Sequence, residues 1–261
     1  MNILEKLADL SRGRVLEDQK QEPAALMAEK AEALGPGGGA AFTAALRRPS
    51  DLAFLCEVKR ASPSKGLIAP DFPYLQIARD YEEAGADCLS VLTEPFYFQG
   101  SDQIFREIRH AVSAPMLRKD FTVSPYQLDQ ARCIGADAVL LIVALLNAAT
   151  LEAWLGRCEV LGLAALVETH DEAEIDTAVR AGARIIGVNN RNLKDFSVDL
   201  GNAARLREHV PPECVFVAES GVRSPEDVAR LRRIGADAVL VGEALMRSEN
   251  KKARLHELKH G

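Results

Sequence analysis

Four stretches of the sequence share one pattern, in which a helix-like segment ends in glycine and a run of apolar residues follows at once. They read EEAGADCLSVLTE, RCIGADAVLLIV, VRAGARIIGVNN and LRRIGADAVLVGE. Glycine at the end of a helix, followed by a strand, is typical of a connection from helix to strand. The pattern therefore predicts a chain built from repeated units of strand and helix.

Four further β-rich runs bring the number of predicted strands to eight. They read AFLCEVK, APMLRKD, LAALVETH and ECVFVAESG, and the eight starts lie near residues 53, 87, 114, 138, 164, 184, 214 and 238. Strands that alternate with helices through short connections predict right-handed crossovers and a parallel sheet. Eight such units close most naturally into a single (βα)8 TIM barrel of the α/β class. The alternative is an open doubly wound sheet, but no GxGxxG follows the first strand.

The length of the chain fits one barrel domain that spans residues 1–261. A chain of 261 residues that is 48% hydrophobic can bury one large core. The predicted barrel occupies residues 51–250, and residues 1–50 precede it with a Gly-Pro-Gly-Gly-Gly break at 35–39. So short a segment buries little core of its own, so we expect an N-terminal helical extension over the barrel mouth. We expect its removal to weaken substrate binding and to leave the barrel folded.

The composition excludes several classes of function. With 32 basic and 38 acidic residues the formal charge is -6, so no overall positive field attracts nucleic acid or an anionic membrane. The longest uncharged apolar run, AVLLIVALL, is far shorter than the ~20 residues that cross a bilayer. The first residues, MNILEKLADLSRGR, lack the apolar core of a secretory signal, and the five cysteines form no CxxC. We expect a cytoplasmic protein with reduced thiols and no metal site.

Polar residues gather at the ends of the predicted strands, and a barrel enzyme has its active site at the carboxyl ends of its strands. A charge at a strand end is also simply where a chain meets water, so each position has that plainer interpretation. The residues concerned are Glu57 and Lys59 on strand one, Arg118 and Lys119 on strand three, Glu168 on strand five, Asn189, Asn190 and Arg191 on strand six, Glu219 and Ser220 on strand seven, and Gly242 and Glu243 on strand eight.

Spacing separates the stronger candidates from the weaker ones. Glu57 and Lys59 stand two apart and therefore share a strand face, and burying an acid beside an amine is costly unless the pair has chemistry to perform. Arg118 and Lys119 are adjacent and face opposite ways, so we expect only one of them in the site. His170 stands at a helix start among acids, which favours a surface role. The C-terminal KKARLHELKH is predicted to be a solvated helix face.

Two segments near the end of the chain indicate phosphate binding. SGVRSPEDV places Gly221 after a strand and follows it with an N-cap serine and a proline at the first helical position. VGEALM places Gly242 where strand eight meets its helix. The loops after strands seven and eight of a barrel often bind phosphate through backbone amides.

Seven phrases, in order, resemble the indole-3-glycerol-phosphate synthase family: EVKRASPSKG, VLTEPFYFQGS, LRKDF, ALVETHDE, IGVNNRNL, VAESGV and VGEALM. The resemblance runs from about residue 50 to residue 247 and extends more loosely over the N-terminal helices. It implies a lyase of tryptophan biosynthesis that needs no cofactor or metal. Its substrate would be 1-(2-carboxyphenylamino)-1-deoxyribulose 5-phosphate, which it would convert into indole-3-glycerol phosphate with release of carbon dioxide and water.

The resemblance also implies roles for individual residues. Lys119 would be the general acid of ring closure, while Lys59 would hold the substrate carboxylate and share the proton transfers of dehydration with Glu57 and Glu168. Which of Lys59 and Glu168 is the dehydration acid stays open. Three further residues would belong to the catalytic group: Asn189 near the anilino carboxylate, and Glu219 and Ser220 on the floor. The remaining residues would bind the substrate: Arg191 at the anilino carboxylate, Ser62, Gly221, Gly242 and Glu243 around the phosphate, and Pro63 and Phe98 in the loops of the first two motifs.

Glu243 departs from the pattern, because many members of the family have serine after the strand-eight glycine. A carboxylate repels phosphate, so contact there has to come from the backbone amide with the side chain turned away. A cluster of Lys59, Lys65, Lys119 and Arg191 in an otherwise acidic chain suits a small anion. We expect a small phosphorylated substrate as the partner, no nucleic acid or membrane, and a monomer or weak homo-oligomer.

Three other functions remain open at this point. An isomerase acting on N-(phosphoribosyl)anthranilate would use a strand-one cysteine with an aspartate; Cys56 is present, but strand six offers Asn189 in place of the aspartate. A Schiff-base aldolase would explain a lysine on an inner strand face. A barrel that only binds phosphate would not need lysines and glutamates at several strand ends.

Overall fold

The computed structural model describes residues 2–47, 51–192 and 196–261, and its centre is a closed barrel of eight parallel strands. The predicted (βα)8 barrel is confirmed, and no predicted strand start lies more than two residues from the observed one. The strands are β1 (Ala53–Val58), β2 (Cys88–Leu92), β3 (Met116–Lys119), β4 (Ala138–Ile142), β5 (Ala164–Thr169), β6 (Ile185–Asn189), β7 (Val215–Glu219) and β8 (Ala238–Val241).

Helices precede the barrel and connect its strands. The described helices are α1 (Ile3–Gln21), α2 (Ala24–Ala33), α3 (Gly39–Leu46), α4 (Tyr74–Glu83), α5 (Asp102–Ala111), α6 (Tyr126–Cys133), α7 (Ala148–Leu161), α8 (Glu172–Arg180), α9 (Gly201–Leu206), α10 (Pro225–Arg233), α11 (Glu243–Met246) and α12 (Lys251–His260). Short 3₁₀ turns occur at Val143–Leu145 and Arg207–His209, and a small antiparallel hairpin (Ala61–Ser62 with Gly66–Leu67) follows β1. None of these helices is long and apolar enough to cross a membrane.

The repeated Gly-Ala-Asp has a structural reason at each connection from helix to strand. Gly135 adopts a φ of +86°, which ends α6 in the left-handed region that glycine reaches without strain. The Asp137 carboxylate then accepts a hydrogen bond of 2.8 Å from the backbone amide of Met116 on the preceding strand. The repeat therefore ends a helix and fixes the next strand against its neighbour. Asp87 and Asp237 accept equivalent 2.8 Å bonds from the amides of Phe54 and Phe216.

Alternation along each strand divides the core into two layers. Leu55 packs with the other inward-facing side chains in the barrel interior, whereas Cys56, its neighbour, packs in the outer layer between strands and helices. Both side chains are fully buried. A residue two positions beyond Leu55 therefore points into the interior as well, and this is the position of Glu57.

The N-terminal extension divides between the two ends of the barrel. Helix α1 lies at the mouth, where Leu4 and Leu7 line the cavity described below. Helix α2 packs on the outside against α6. Helix α3 closes the opposite end: it contacts β1, β2 and β5, and the Phe42 carbonyl lies 3.9 Å from the Cys88 sulfur at the start of β2. The expectation that the whole extension covers the mouth is therefore wrong for α2 and α3.

The C-terminal helix also differs from its prediction as a solvated face. Leu255 and Leu258 are fully buried. Helix α12, the second helix after β8, packs against α4 and α10. The Lys259 side chain is buried too, where it donates to the Gly85 carbonyl and lies 3.6 Å from Asp87. The density of charges in KKARLHELKH masks two apolar residues three positions apart, which is enough for a buried helical stripe.

The position of α3 changes the expected result of removing the extension. Phe42→Ala should reduce the free energy of unfolding by about 3–5 kcal/mol, because it empties a fully buried site at the end of the barrel. Leu16→Ala on α1 is the control, since Leu16 is 61% exposed and should change that free energy by less than about 0.5 kcal/mol. Urea denaturation of both variants measures the difference. Equal losses would contradict the assignment of α3 to the core.

Candidate active site

A cavity of about 340 Å³ opens at the carboxyl ends of the strands, within the range of roughly 300–1,000 Å³ typical of small-molecule sites. It lies where the barrel architecture places active sites. The residues to which the family resemblance assigned a role all line this one cavity: Glu57, Lys59, Ser62, Pro63, Phe98, Lys119, Glu168, Asn189, Arg191, Glu219, Ser220, Gly221, Gly242 and Glu243.

The floor of the cavity is the last inward-facing position of several strands. Two residues below each of these positions, the interior is apolar or carries glycine, so the charged groups form a layer above a dry core. Because the strands are parallel and closed into a ring, their final inward positions meet at one level. The side chains in this layer belong to Glu57, Lys119, Glu168, Asn189 and Glu219.

Lys119 is the centre of this layer. Its ammonium nitrogen lies 3.1 Å from Glu168 Oε2 and 3.0 Å from Glu219 Oε2. The second oxygen of Glu168 accepts a hydrogen bond of 3.2 Å from the Asn189 amide. The amine of Lys119 on β3 thus links β5 and β7 directly, and β6 joins them through Glu168.

The surroundings of Lys119 raise its pKa. Burial acts to lower the pKa of this amine, but the carboxylates of Glu219, Glu168 and Glu57 together outweigh burial. Lys119 therefore carries a proton throughout the neutral range. Arg118, the adjacent residue, faces away and binds the Gln127 carbonyl and the side chains of Gln130 and Asp102.

Glu219 is the member of the layer whose protonation is most finely balanced. Burial, followed by the nearby Glu168 carboxylate, raises the pKa of Glu219 to about 7, although Lys119 opposes the rise. Its Oε1 is buried without a hydrogen-bond partner among the described residues. Gly187 on β6 leaves room for this oxygen, because a side chain there would overlap it. Burial acts to raise the pKa of Glu168, but Lys119, then His170 and the hydrogen bond from Asn189, hold it below its usual value.

Glu57 and Lys59 form an ion pair on the other side of the cavity. Glu57 Oε2 accepts a hydrogen bond from the Lys59 ammonium, and both side chains are largely buried. They lie against the backbone of Gly242 at the end of β8, where a side-chain carbon would stand 3.0 Å from the Lys59 nitrogen. The glycine therefore lets the backbone and the ion pair approach each other closely.

The prediction of a surface role for His170 is wrong. Its side chain is only 20% exposed, and its Nε2 lies 3.6 Å from Glu168 Oε1. Its Nδ1 lies 3.2 Å from Glu174 on α8. The acidic residues around His170 in the sequence predicted an exposed side chain. In the structure, the turn between β5 and α8 places the ring beside Glu168.

Helix α1 supplies an apolar wall and is fixed to the floor by an ion pair. Arg14 donates to both carboxylate oxygens of Asp120 at 2.7 and 2.6 Å, and Ser11 donates to the Phe121 carbonyl at 2.7 Å. The Asp120 carboxylate is almost fully buried and also accepts from the Thr93 hydroxyl at 2.8 Å. Because Asp120 directly follows Lys119, the helix over the mouth is attached next to the central amine.

The loop after β2 supplies a second apolar wall through Phe98, whose ring lies 6.0 Å from that of Phe121. Glu94 holds this loop in place, because its carboxylate accepts hydrogen bonds of 2.8–2.9 Å from the amides of Phe96, Tyr97 and Phe98. Phe98 also accepts a bond of 3.3 Å through its carbonyl from Ala61, which links the loops after β1 and β2.

The other end of the cavity has a compact backbone and several cations. Ser220 and Gly221 follow β7 with φ values of +67° and +97°, so the chain turns sharply there. Asp227 already accepts hydrogen bonds from the amides of Arg223 and Ser224, so α10 caps its own N-terminus. The start of α10 is therefore already capped by its own side chain. Gly221 and Gly242 are the backbone positions that remain as candidates for the predicted phosphate site.

Glu243 turns toward cations of its own chain. Its Oε1 lies 3.1 Å from Arg247 and 3.7 Å from Lys65. Burial acts to raise the pKa of Glu243, but Arg247, Lys65 and Arg191 lower it. The carboxylate is therefore ionised and neutralised by its neighbours at the place where the sequence pattern raised a conflict with phosphate.

Comparison with known proteins agrees with this geometry. The sequence model of the family described as indole-3-glycerol phosphate synthase matches residues 4–258. The chain belongs to this family. It is 51% identical over 257 residues to the indole-3-glycerol phosphate synthase of Ruminiclostridium cellulolyticum, with 98% of each chain covered. The synthase of Lactiplantibacillus plantarum is 53% identical over 220 residues, with 84% of each chain covered.

Membership of the indole-3-glycerol phosphate synthase family makes the chain a carboxy-lyase of tryptophan biosynthesis. The motif IGVNNRNL, one of the seven that carried the resemblance, ends at Leu193, which lies outside the described residues. Among the residues that are described, no group of three or more His, Cys, Asp or Glu side chains could hold a metal ion.

Solved structures of low sequence identity share the fold alone. The N-acetylmannosamine-6-phosphate 2-epimerase of Clostridium perfringens matches with a TM-score of 0.62 at 15% identity, covering 78% of this chain and 90% of that one. A thiamine phosphate pyrophosphorylase from Pyrococcus furiosus gives 0.60 at 18% identity, covering 79% and 93%.

Sequence reasoning missed two groups of residues that line the synthase cavity. The first is the apolar face of α1: the helix was expected over the mouth, but its lining residues Ile3, Leu4 and Leu7 were not identified. The second is a set of arginines from the loops after β7 and β8 and from α12, each hidden among other surface charges in the sequence: Arg223, Arg247 and Arg254.

The buried Asp120 should make stability depend on pH. Arg14 and Arg118 overcome burial and hold the pKa of Asp120 below its usual value. A lowered folded-state pKa stabilises the protein above the unfolded value near ~3.9, and this stabilisation disappears as the pH falls through the folded-state value. Asp120→Asn should therefore lower the free energy of unfolding by about 3–5 kcal/mol at pH 7. The difference in this free energy between the variant and the wild type should become smaller as the pH falls.

Urea denaturation of both proteins between pH 7 and pH 3 measures this effect. Asp9→Asn on the same helix is the control, because Asp9 pairs with Arg12 at an exposed site and should change little. Parallel stability curves for wild type and Asp120→Asn would refute the assignment.

Proposed function

We propose that the cavity converts 1-(2-carboxyphenylamino)-1-deoxyribulose 5-phosphate into indole-3-glycerol phosphate, with the residues of its floor as acids and bases. The observation that carries the proposal is the protonated Lys119 held between Glu168 and Glu219 beneath an apolar mouth. A reaction that closes a ring and then loses water needs proton donors and acceptors on several sides of one small substrate. This cavity offers three carboxylates and the amine of Lys119 in one layer, with the amine of Lys59 beside it.

In ring closure, the aromatic carbon that bears the carboxylate attacks the ribulose carbonyl. Negative charge develops on the carbonyl oxygen, and Lys119 donates its proton to that oxygen. The three surrounding carboxylates keep the amine charged until this step. Phe98, Phe121 and α1 support the step by excluding water around the aromatic ring.

Decarboxylation and dehydration follow on the opposite side of the cavity. Loss of carbon dioxide returns the electron pair of the broken bond to the ring and restores aromaticity. The new hydroxyl then leaves as water after protonation, while a base removes the proton from the neighbouring carbon. Lys59, with Glu57 beside it, holds the departing carboxylate and shares these transfers with Glu168. In the ligand-free site Glu168 is ionised by Lys119, which favours Lys59 as the proton donor.

The two anionic ends of the substrate are bound by different groups. Asn189 and Arg191 would take the anilino carboxylate, and the Asn189 side chain accepts a 3.0 Å bond from the Arg191 amide that holds the two together. Ser62, Gly221 and Gly242 would take the phosphate. Lys65 and Arg247, which pair with Glu243 in this structure, would supply positive charge by turning from Glu243 to the phosphate. Glu219 and Ser220 complete the floor, and Pro63 and Phe98 bound the mouth.

Two of the alternative functions fit the site less well. Cys56 packs outside the barrel, and burial raises the pKa of its thiol, so it cannot serve as the acid or base of an isomerase site. A Schiff-base lysine needs a lowered pKa to be nucleophilic, whereas that of Lys119 is raised. We further propose a cytoplasmic monomer or weak homo-oligomer that binds no nucleic acid.

The direct test mixes the purified protein with the carboxyphenylamino-deoxyribulose phosphate and follows the fluorescence of the indole product. Turnover without added metal or cofactor supports the proposal. A folded protein that binds the substrate without forming product would leave it a phosphate-binding barrel.

Lys119→Met should reduce kcat by roughly 10²- to 10⁴-fold or more, because it removes the general acid while leaving the phosphate contacts in place. Substrate binding, measured by calorimetry, should change little. Lys20→Met is the matched control, since Lys20 is an exposed lysine of α1 and should retain full activity.

Borohydride added during turnover separates the acid role from a covalent one. Wild-type protein should gain no mass, because Lys119 donates a proton and forms no bond to carbon. A stable adduct of substrate mass on Lys119 or Lys59 would replace the synthase mechanism with that of an aldolase.

A further inference from the structure

His170 connects a candidate catalytic carboxylate to a second carboxylate on a helix. The ring follows β5 and places Nε2 at 3.6 Å from Glu168 Oε1, beyond hydrogen-bond length but within reach of an ion pair. On its other side, Nδ1 lies 3.2 Å from Glu174 Oε2, which also accepts a 2.8 Å bond from the His170 backbone amide. Glu174 therefore fixes both the backbone and the ring of His170.

The surroundings of the ring are acidic on every side that carries charge. Glu168 faces it from β5, Glu174 from α8 and Glu219 from β7, whereas Asn202 of α9 donates to the backbone carbonyls of His170 and Asn189. The Nε2 atom is buried and has no hydrogen-bond partner among the described residues, and Glu168 Oε1 lies 3.6 Å from it. A ring held between carboxylates in this way favours its protonated form.

We propose that His170, clamped by Glu174, is a positioning residue that holds the Glu168 carboxylate ionised and directed toward Lys119. This inference rests on the function proposed above for Glu168. The ring touches no part of the cavity itself, since the groups that line the cavity on this side are Glu168 and Asn189. His170 therefore acts through Glu168.

Charge balance gives the direction of the effect. Glu168 and Glu219 share one ammonium group, so without a further cation one of the two tends to take up a proton. Burial acts to lower the pKa of His170, but its bond to Glu174 and the charges of Glu168, Glu174 and Glu219 raise it. The imidazolium thus supplies the missing positive charge across the range in which the two carboxylates titrate.

The pH dependence of kcat/KM tests this role. Removing the imidazolium raises the pKa of the Glu168 and Glu219 pair, so in His170→Gln the acid limb should move to higher pH by about one unit. Glu174→Gln should move it the same way by less, since the ring remains but is held less firmly in its charged form. The double variant should shift no further than His170→Gln alone.

His209→Gln is the matched control, because His209 also pairs with a glutamate of α8, Glu172, at 3.5 Å but lies away from Glu168. Its acid limb should coincide with that of wild type. An unshifted limb in His170→Gln, or shifts in the two single variants that add in the double, would overturn the proposal. A purely structural role would lower activity equally at every pH.

A titration that needs no turnover separates this proposal from the function on which it rests. Proton NMR of the ligand-free protein should show a histidine signal that is missing in His170→Gln and that titrates with a midpoint above ~6.5. That midpoint should fall in Glu168→Gln and in Glu174→Gln. A midpoint insensitive to Glu168→Gln would overturn the pairing even in an active enzyme, whereas inactivity with a sensitive midpoint would overturn only the assigned reaction.

Discussion

The closed barrel sends every second side chain of its strands into one shared interior, and at the carboxyl end that interior holds charge. Below this level the interior is packed with leucine, valine and alanine, so water cannot solvate the charges from beneath. They neutralise one another instead, and Lys119 with Glu168 and Glu219 is the result. Stability and chemistry therefore depend on the same layer, because an unpaired charge there would cost several kcal/mol.

Supporting contacts around this layer follow the same logic. Arg14 of α1 binds Asp120, and Asn189 binds Glu168. In the loop after β2, the Glu94 carboxylate accepts hydrogen bonds from backbone amides. The first two contacts join a strand end to another element of the structure, and the third fixes the loop after β2. The site is thus rigid on its floor, while the apolar groups that meet the aromatic part of the substrate come from α1 and from loops.

Much of this arrangement could be predicted from the sequence, because it follows from periodicity. Glycine-terminated helices and β-rich runs identified all eight strands, and alternation separated Lys119, which faces inward, from Arg118, which faces outward. Contacts between distant parts of the chain could not be predicted in this way. No local pattern indicates that Phe42 fills the far end of the barrel or that the ring of His170 lies behind Glu168. Nor does any local pattern indicate that the carboxylates which raise the pKa of Lys119 come from three other strands.

The contacts of α3 also bear on how the chain is made. This helix leaves the ribosome before any strand of the barrel, yet it packs against β1, β2 and β5. Its buried face has no complete partner until the fifth strand has been synthesised, and closing so long a loop is slow compared with forming local helices. The nascent N-terminal segment consequently keeps Phe42 and Leu46 exposed until the strands that bury them have been synthesised.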